Sequence, residues 1–404
     1  MSTMIFNAGT APTYATTDIG GIPIPDALGF YPIGCHVAVA DVDVVADFSA
    51  TPRFGNPPIL VTFSDLSSGA SSWDWAFGDG GTSTLQNPSH LYTSSGVYTV
   101  TLSINSGADV KVRTAYIFIC SGSPGALTDR YWISTVPGVW DSTNNWSYTC
   151  CGPSGAPIPD STDSAYFMLP GSGSCSISSA TGVETLRFGP AFDGVFNQNG
   201  QTFMVGSGGL ILNGGTFEGS GLLSVDGTFW VQQNSTFLNS DTTLTLAGPS
   251  WIGGSNFIDD GSNSVVIANS CDMSCSDATI RHLLIEGGVV SLDGTAWVNT
   301  LTLSSGDFHK DASGSIHVSG DVYAGPGFGS FITLNNMPLI IDGTDTQTIH
   351  IFENAVLPGL ILVNDTSAIQ CRGQEPLQIQ GDLYVNPGVT FDLNGSDLIV
   401  GGAE

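Results

Sequence analysis

Positive charge is what this chain most lacks: 8 Lys and Arg stand against 36 Asp and Glu over 404 residues, a formal charge of −28. A nucleic-acid surface is built from cations that displace condensed counterions, so DNA and RNA binding are excluded. No basic cluster exists to hold an anionic lipid surface either. Charged residues of both signs make up only 11% of the chain, which leaves amphipathic helices without the Lys and Glu of their polar faces. No apolar run approaches the roughly 18 consecutive residues of a membrane span, so membrane insertion is not expected. Residues 1–21 carry neither the basic nor the apolar segment of a secretory leader, and the expectation is a chain that folds where it is made.

Cysteine is thinly spread as well. The eight (Cys35, Cys120, Cys150, Cys151, Cys175, Cys271, Cys275 and Cys371) are too dispersed for a disulfide scaffold in a chain of this length. Buried thiols with occasional crosslinks are expected. Cys150 and Cys151 are adjacent and Cys271 and Cys275 are four apart. Neither arrangement brings the His or second Cys pair of a zinc site, so no metal and no cofactor is expected, beyond adventitious Ca²⁺ drawn by the acidic surface.

What is abundant is glycine, 52 residues, with 41% hydrophobic residues. That composition suits short strands and tight turns, and the fold class expected is all-β. Residues 1–37 mix Gly, Pro, Thr and isolated apolars without periodicity and read as an extended arm that makes an assembly contact. From His36 the run VAVADVDVVADFSA alternates valine with Ala or Asp, the pattern of a half-buried strand. Further strands of five to eight residues follow up to residue 121, separated by turn clusters, as in a β-sandwich over residues 38–121.

Within that stretch, Trp73-Asp74-Trp75-Ala76-Phe77-Gly78-Asp79-Gly80 precedes Asn87-Pro88-Ser89-His90-Leu91-Tyr92 and Gly96-Val97-Tyr98-Thr99-Val100-Thr101-Leu102. These segments, in this order, resemble the signature of the polycystic-kidney-disease (PKD) type of immunoglobulin-like domain, departing from it only in Ala76. Trp75 and Phe77 then alternate inward, Gly78 and Gly80 take backbone angles closed to other residues, and Asp79 bonds the turn's own amides. A metal or catalytic role for Asp79 is the less favoured reading.

Residues 122–180 are rich in Ser, Gly, Pro and Trp. Their Tyr131-Trp132, Trp140 and Asn145-Trp146-Ser147 runs, followed by Asp163-Ser164-Ala165-Tyr166-Phe167, resemble a segment that opens β-solenoid regions in large bacterial surface proteins and phage virion proteins. Two readings stand for Trp132, Trp140 and Trp146: they seal the end of the following stack, which is preferred, or they stack on sugars of a host-surface glycan.

Residues 181–404 repeat loosely. Leu223–Val231 is echoed by Val290–Val298, and Gly320-Asp321-Val322-Tyr323 with Pro326-Gly327 by Gly381-Asp382-Leu383-Tyr384 with Pro387-Gly388. Short strands closed by Asn-Gly, Asp-Gly or Ser-Gly turns, in stacked units, indicate a parallel β-helix or solenoid. Calcium-binding nonapeptides are absent.

Catalytic constellations are not found. There is no nucleophile elbow, Walker loop or dinucleotide fingerprint, and the six histidines (His36, His90, His282, His309, His317 and His350) contain no metalloprotease pair. Polysaccharide cleavage by two carboxylates is the one plausible chemistry. Its densest candidates are Asp259-Asp260, with Asp272 and Asp277, but neighbours on a strand face opposite ways and FIDDGSN reads as a turn. The cations beyond the sandwich, Arg130, Arg187, Arg281, Lys310 and Arg372, are dispersed. The expected function is non-enzymatic: a structural surface protein of a tailed-bacteriophage virion (capsid decoration protein, head fibre or tail-associated fibre). Its expected partners are other copies of itself as a trimer or lattice-bound copy, a major capsid or tail protein, and host-surface glycans. A secreted adhesin or filament subunit and a depolymerising tailspike are the alternatives.

Overall fold

The structure is a computed structural model. It describes residues 43–120, 126–310, 315–325, 328–333, 339–351, 356–357, 360–362, 368–372, 376–379, 382–387, 389–395 and 397–400. The expected arm of residues 1–37, with Cys35 and His36, lies outside them, as do Pro326-Gly327, Gly381 and Gly388.

Eight strands form the first module: β1 (Phe48–Thr51), β2 (Phe54–Gly55), β3 (Ile59–Asp65), β4 (Trp73–Ala76), β5 (Thr82–Ser83), β6 (Ser89–Tyr92), β7 (Gly96–Ile104) and β8 (Asp109–Ile119). One sheet has the order β1-β3-β6 and the other β2-β8-β7-β4-β5, antiparallel except where β2 meets β8. Phe48, Val61, Phe63, Trp75, Val100 and Leu102 fill the space between them and are buried. Of the alternating run expected to begin at His36, the described part enters the sheet at Phe48. Val44 and Val45 are exposed, Val45 making an isolated bridge to Ser68.

The rest is a β-solenoid whose coils have three sides, each side a ladder of parallel strands. On the first side, Leu210, Phe229, Trp251 and Met273 are successive partners. On the second, Phe196, Phe217, Phe237 and Phe257 are successive partners. On the third, Val205, Val225, Leu246 and Ile267 are. Inward residues at every second position are buried and the intervening ones face out, as the two-residue strand period demands. Among the described residues the helical content is one 3₁₀ turn, Thr143–Asn145, and no helix is long and apolar enough to cross a membrane.

A boundary at residue 181 is not observed. Asp129–Trp132 already pairs in parallel with Ser164–Phe167, which pairs with Thr185–Phe188, so the Trp-rich segment expected to be a junction is the first coil itself. The two sequence echoes also do not mark a coil. Leu223–Val225 lies on the third side and Val290–Leu292 on the first, while Val322–Ala324 lies on the third and Leu383–Val385 on the second. The echoes repeat one strand and its corner, placed on different sides. Tyr323 and Tyr384 nonetheless make the same bond, each hydroxyl donating to the aspartate two residues before it, Asp321 at 3.3 Å and Asp382 at 3.2 Å.

Candidate functional site

The turn after β4 is built as its sequence requires. Gly78 and Gly80 have φ of +88° and +94°, and a Cβ on Gly78 would stand 2.5 Å from the Thr99 carbonyl oxygen. Trp75 and Phe77 are buried. Asp79 Oδ1 accepts the Gly81 amide at 2.9 Å, and its Oδ2 lies 2.7 Å from His90 Nε2. The His90 ring stacks on Phe77 at 4.3 Å, and the Tyr92 hydroxyl donates to the Phe77 carbonyl at 2.9 Å. Burial by itself would raise the Asp79 carboxyl, but the bonds from His90 and Gly81 outweigh it and hold the group below its ordinary value. Trp73 Nε1 donates to Asp65 Oδ2 at 2.8 Å, and Asn87 Oδ1 accepts the Asp65 amide at 2.8 Å. Asp74 is exposed, Pro88 buried, and Gly96 and Tyr98 half-buried. The side chains of Trp73, Asp79, Asn87, His90 and Tyr92 all bond within the turn and its neighbours.

Trp132, Trp140 and Trp146 are 0% exposed. Trp146 meets Trp132 and Trp140 edge-on, at 5.2 and 4.7 Å between centroids, and all three contact Phe167. The sugar-stacking reading of these residues is therefore corrected: no indole face reaches solvent. They fill the first coil, where no earlier coil supplies packing partners. Exposed aromatic side chains of the solenoid include Tyr148, Trp230, Trp297 and Tyr384, Trp297 being stacked on His317 at 4.1 Å.

The acidic candidates are dispersed by the fold. Asp259 turns into the coil, accepting Asn239 Nδ2 and the Arg281 amide, both at 2.8 Å. Burial pushes its carboxyl above the ordinary value, against the lowering effect of those two bonds. Asp260 is exposed and accepts the Ser240 hydroxyl. Asp272 and Asp277 are exposed on the next coil, Asp277 at a positive φ. Arg130 is buried against Asp163 at 3.2 Å, while Arg187 and Arg281 are exposed. His317 Nδ1 lies 2.7 Å from Asp342 Oδ2.

The cysteines hold a relationship that spacing did not reveal. Cys120, just after β8, forms a disulfide with Cys151 in the first coil, and the Cys150 sulfur lies 2.9 Å from that of Cys120. The adjacent Cys150 and Cys151, expected to lack the further ligands of a zinc site, thus meet a third sulfur 30 residues away in sequence. These three are the one grouping of metal-capable side chains among the described residues, and the disulfide uses two of them. Burial pushes the Cys150 thiol up to about 12. A second tie joins the modules where Arg53 Nη1 meets Asp193 Oδ2 at 3.1 Å. Cys175, Cys271 and Cys275 are buried thiols.

The family model for the PKD domain matches residues 55–119, the span that holds this turn, the His90 pair and strands β3 to β8. Residues 55–119 are a PKD domain. Among solved structures, the PKD1 domain of the Vibrio cholerae metalloprotease PrtV is similar to the PKD domain here, at 31% identity over 19% of this chain and 95% of that one, with a TM-score of 0.16. A solution NMR structure of a Methanosarcina mazei protein is 24% identical over 30% of this chain and 84% of that one, with a TM-score of 0.18. No curated protein matches the chain.

Proposed function

We propose that this PKD-containing chain is a non-catalytic structural protein displayed on a surface, and that the surface is a tailed-bacteriophage virion, where it acts as a capsid decoration protein, head fibre or tail-associated fibre. The observation that carries the reading is the closed interior of the solenoid. From Trp132 to Ile379 a continuous column of buried apolar side chains runs through the coils, so the stack is stiff and what it presents lies outside. The PKD domain rides on the first coils, held by the Cys120–Cys151 disulfide and the Arg53–Asp193 pair. In this reading it is a spacer or contact module, and self-association or a capsid or tail partner completes the assembly.

A secreted adhesin or filament subunit is the second reading. The disulfide supports a protein working in an oxidising setting, which suits a released particle and a cell surface alike. A depolymerising tailspike has less behind it, since the buried, hydrogen-bonded Asp259 is poorly placed to act on a polymer. Mass spectrometry of density-purified phage particles, beside cell-surface and medium fractions, tests the proposal. Recovery at constant stoichiometry with capsid proteins is expected; recovery only in the medium or cell-surface fraction would overturn the virion assignment. Release of reducing ends from bacterial polysaccharide would overturn the non-catalytic one.

A further inference from the structure

Cations are the scarcest side chains here, and three of the eight line one cleft. The cleft, of about 630 Å³, lies between the PKD domain and the solenoid and is lined by fifteen residues, among them Arg53, Lys111 and Arg113. Its opposite wall is made of corners from successive coils. There Thr216 and Thr236 are register partners one coil apart, which sets two hydroxyls one coil step from each other, with Val195 at the same position of the preceding coil.

The two arginines are already engaged. Arg53 pairs with Asp193 across the cleft and lies 4.4 Å over the Tyr116 ring, while Arg113 pairs with Asp47 at 2.7 Å. Lys111 has no ion pair among the described residues. The Asp109 carboxylate two residues away accepts the Ala46 amide at 2.7 Å and feels the Lys111 charge without a direct ion pair. The cleft thus has one positive charge outside any ion pair among the described residues, facing two hydroxyls one coil apart.

We infer that this cleft binds a linear glycan carrying an isolated carboxylate, as a hexuronate or sialic-type acid, with the acid on Lys111 and the sugar hydroxyls on Thr216 and Thr236. Coil spacing of about 4.8 Å is comparable with the length of one pyranose residue, so two adjacent sugars meet Thr216 and Thr236. A densely charged polymer fits less well. A chain of net charge −28 repels it, and screening removes that repulsion only beyond about 8 Å at physiological ionic strength. The inference moves glycan contact from the buried tryptophans to the junction of the modules. It deepens the display reading, yet it is measured on the purified chain, so its failure and the failure of the virion assignment are separate results.

The test is calorimetric titration of the full chain with four probes: a hexasaccharide bearing one hexuronate, the neutral hexasaccharide, an oligogalacturonate and an acidic peptide matching residues 37–47. Tightest binding to the first is expected, with the neutral sugar about tenfold weaker, as loss of one charge-assisted bond implies. Lys111→Ala should weaken the acidic sugar by a similar factor while leaving the melting temperature in place, and Lys111→Arg should retain binding. Thr216→Ala and Thr236→Ala should each weaken both sugars. Equal affinity for acidic and neutral sugars, binding indifferent to Lys111→Ala, no binding at all, or preference for oligogalacturonate would overturn the inference. Preference for the peptide would also overturn it, marking the cleft as a dock for the chain's own acidic segment.

Discussion

Phe217 and Phe237 lie one coil apart on the second side of the solenoid, ring centroids 5.1 Å apart and planes 15° from parallel. Phe196 and Phe257 extend the stack at 4.9 and 5.4 Å. All four rings are buried. Such pairs contribute about 0.5–1.5 kcal/mol each beyond the area they bury. Phe237→Ala, which breaks the stack at its middle, should cost about 3–5 kcal/mol, and Phe237→Leu less than half of that. Denaturant midpoints of the solenoid transition measure both.

Asp259 is a buried carboxyl whose folded-state value is raised by burial above the ordinary 3.8. Its contribution to stability is therefore full below pH 3.8 and lost as pH rises through the raised folded value. Asp259→Asn removes the buried charge and supplies an amide beside Asn239, whose Oδ1 has no partner. The variant should melt at a higher temperature than the parent at neutral pH and show no such gain below pH 3.8, where the parent carboxyl is also uncharged. Paired melting curves at the two pH values check the sign.

Asp79 titrates in the opposite sense. Its folded value lies below 3.8 despite burial, because His90 and Gly81 bond the carboxylate. The stability it confers is present above 3.8 and is lost as pH falls through the depressed value. Asp79→Ala should destabilise the PKD domain by about 1 kcal/mol at neutral pH. Faster amide exchange in β4, β6 and β7, with the solenoid unchanged, is the expected readout.

The sulfur of Cys150 stands 2.9 Å from Cys120 and 3.9 Å from Cys151. In Cys151→Ser it should take over as the partner of Cys120, so that non-reducing peptide mapping finds a Cys120–Cys150 link after oxidation. The exchange should be slow at neutral pH in the parent, since burial keeps the Cys150 group a thiol. Cys120→Ser should abolish both links and let the PKD domain separate from the solenoid at lower denaturant.

The order of residue types alone was enough for the module sequence. The Trp75-Phe77-Gly78-Asp79-Gly80 turn declares itself because each residue answers a local need: an inward ring, a positive φ, a carboxylate for a turn amide. Alternation declared the strands of the solenoid for the same reason, since inside and outside are a property of neighbouring residues. The coil length was also legible, in phenylalanines 196, 217, 237 and 257 at intervals of twenty or twenty-one residues, but the longer echoes drew attention away from it.

Three-dimensional packing decided the rest. Whether Trp132, Trp140 and Trp146 meet sugar or one another depends on which rings they face, and a sequence pattern around a tryptophan is the same for a platform and a plug. Pairing of Cys120 with Cys151, and of Arg53 with Asp193, joins residues 31 and 140 positions apart. Gln198 and Gln347 carry no local pattern that sets them apart from surface amides. Both are buried, each donating to two backbone carbonyls and accepting one backbone amide. Local chemistry sets a residue's backbone angle and its side of the strand; which distant residue it meets is set by how modules and coils come to lie together, and no local rule encodes that.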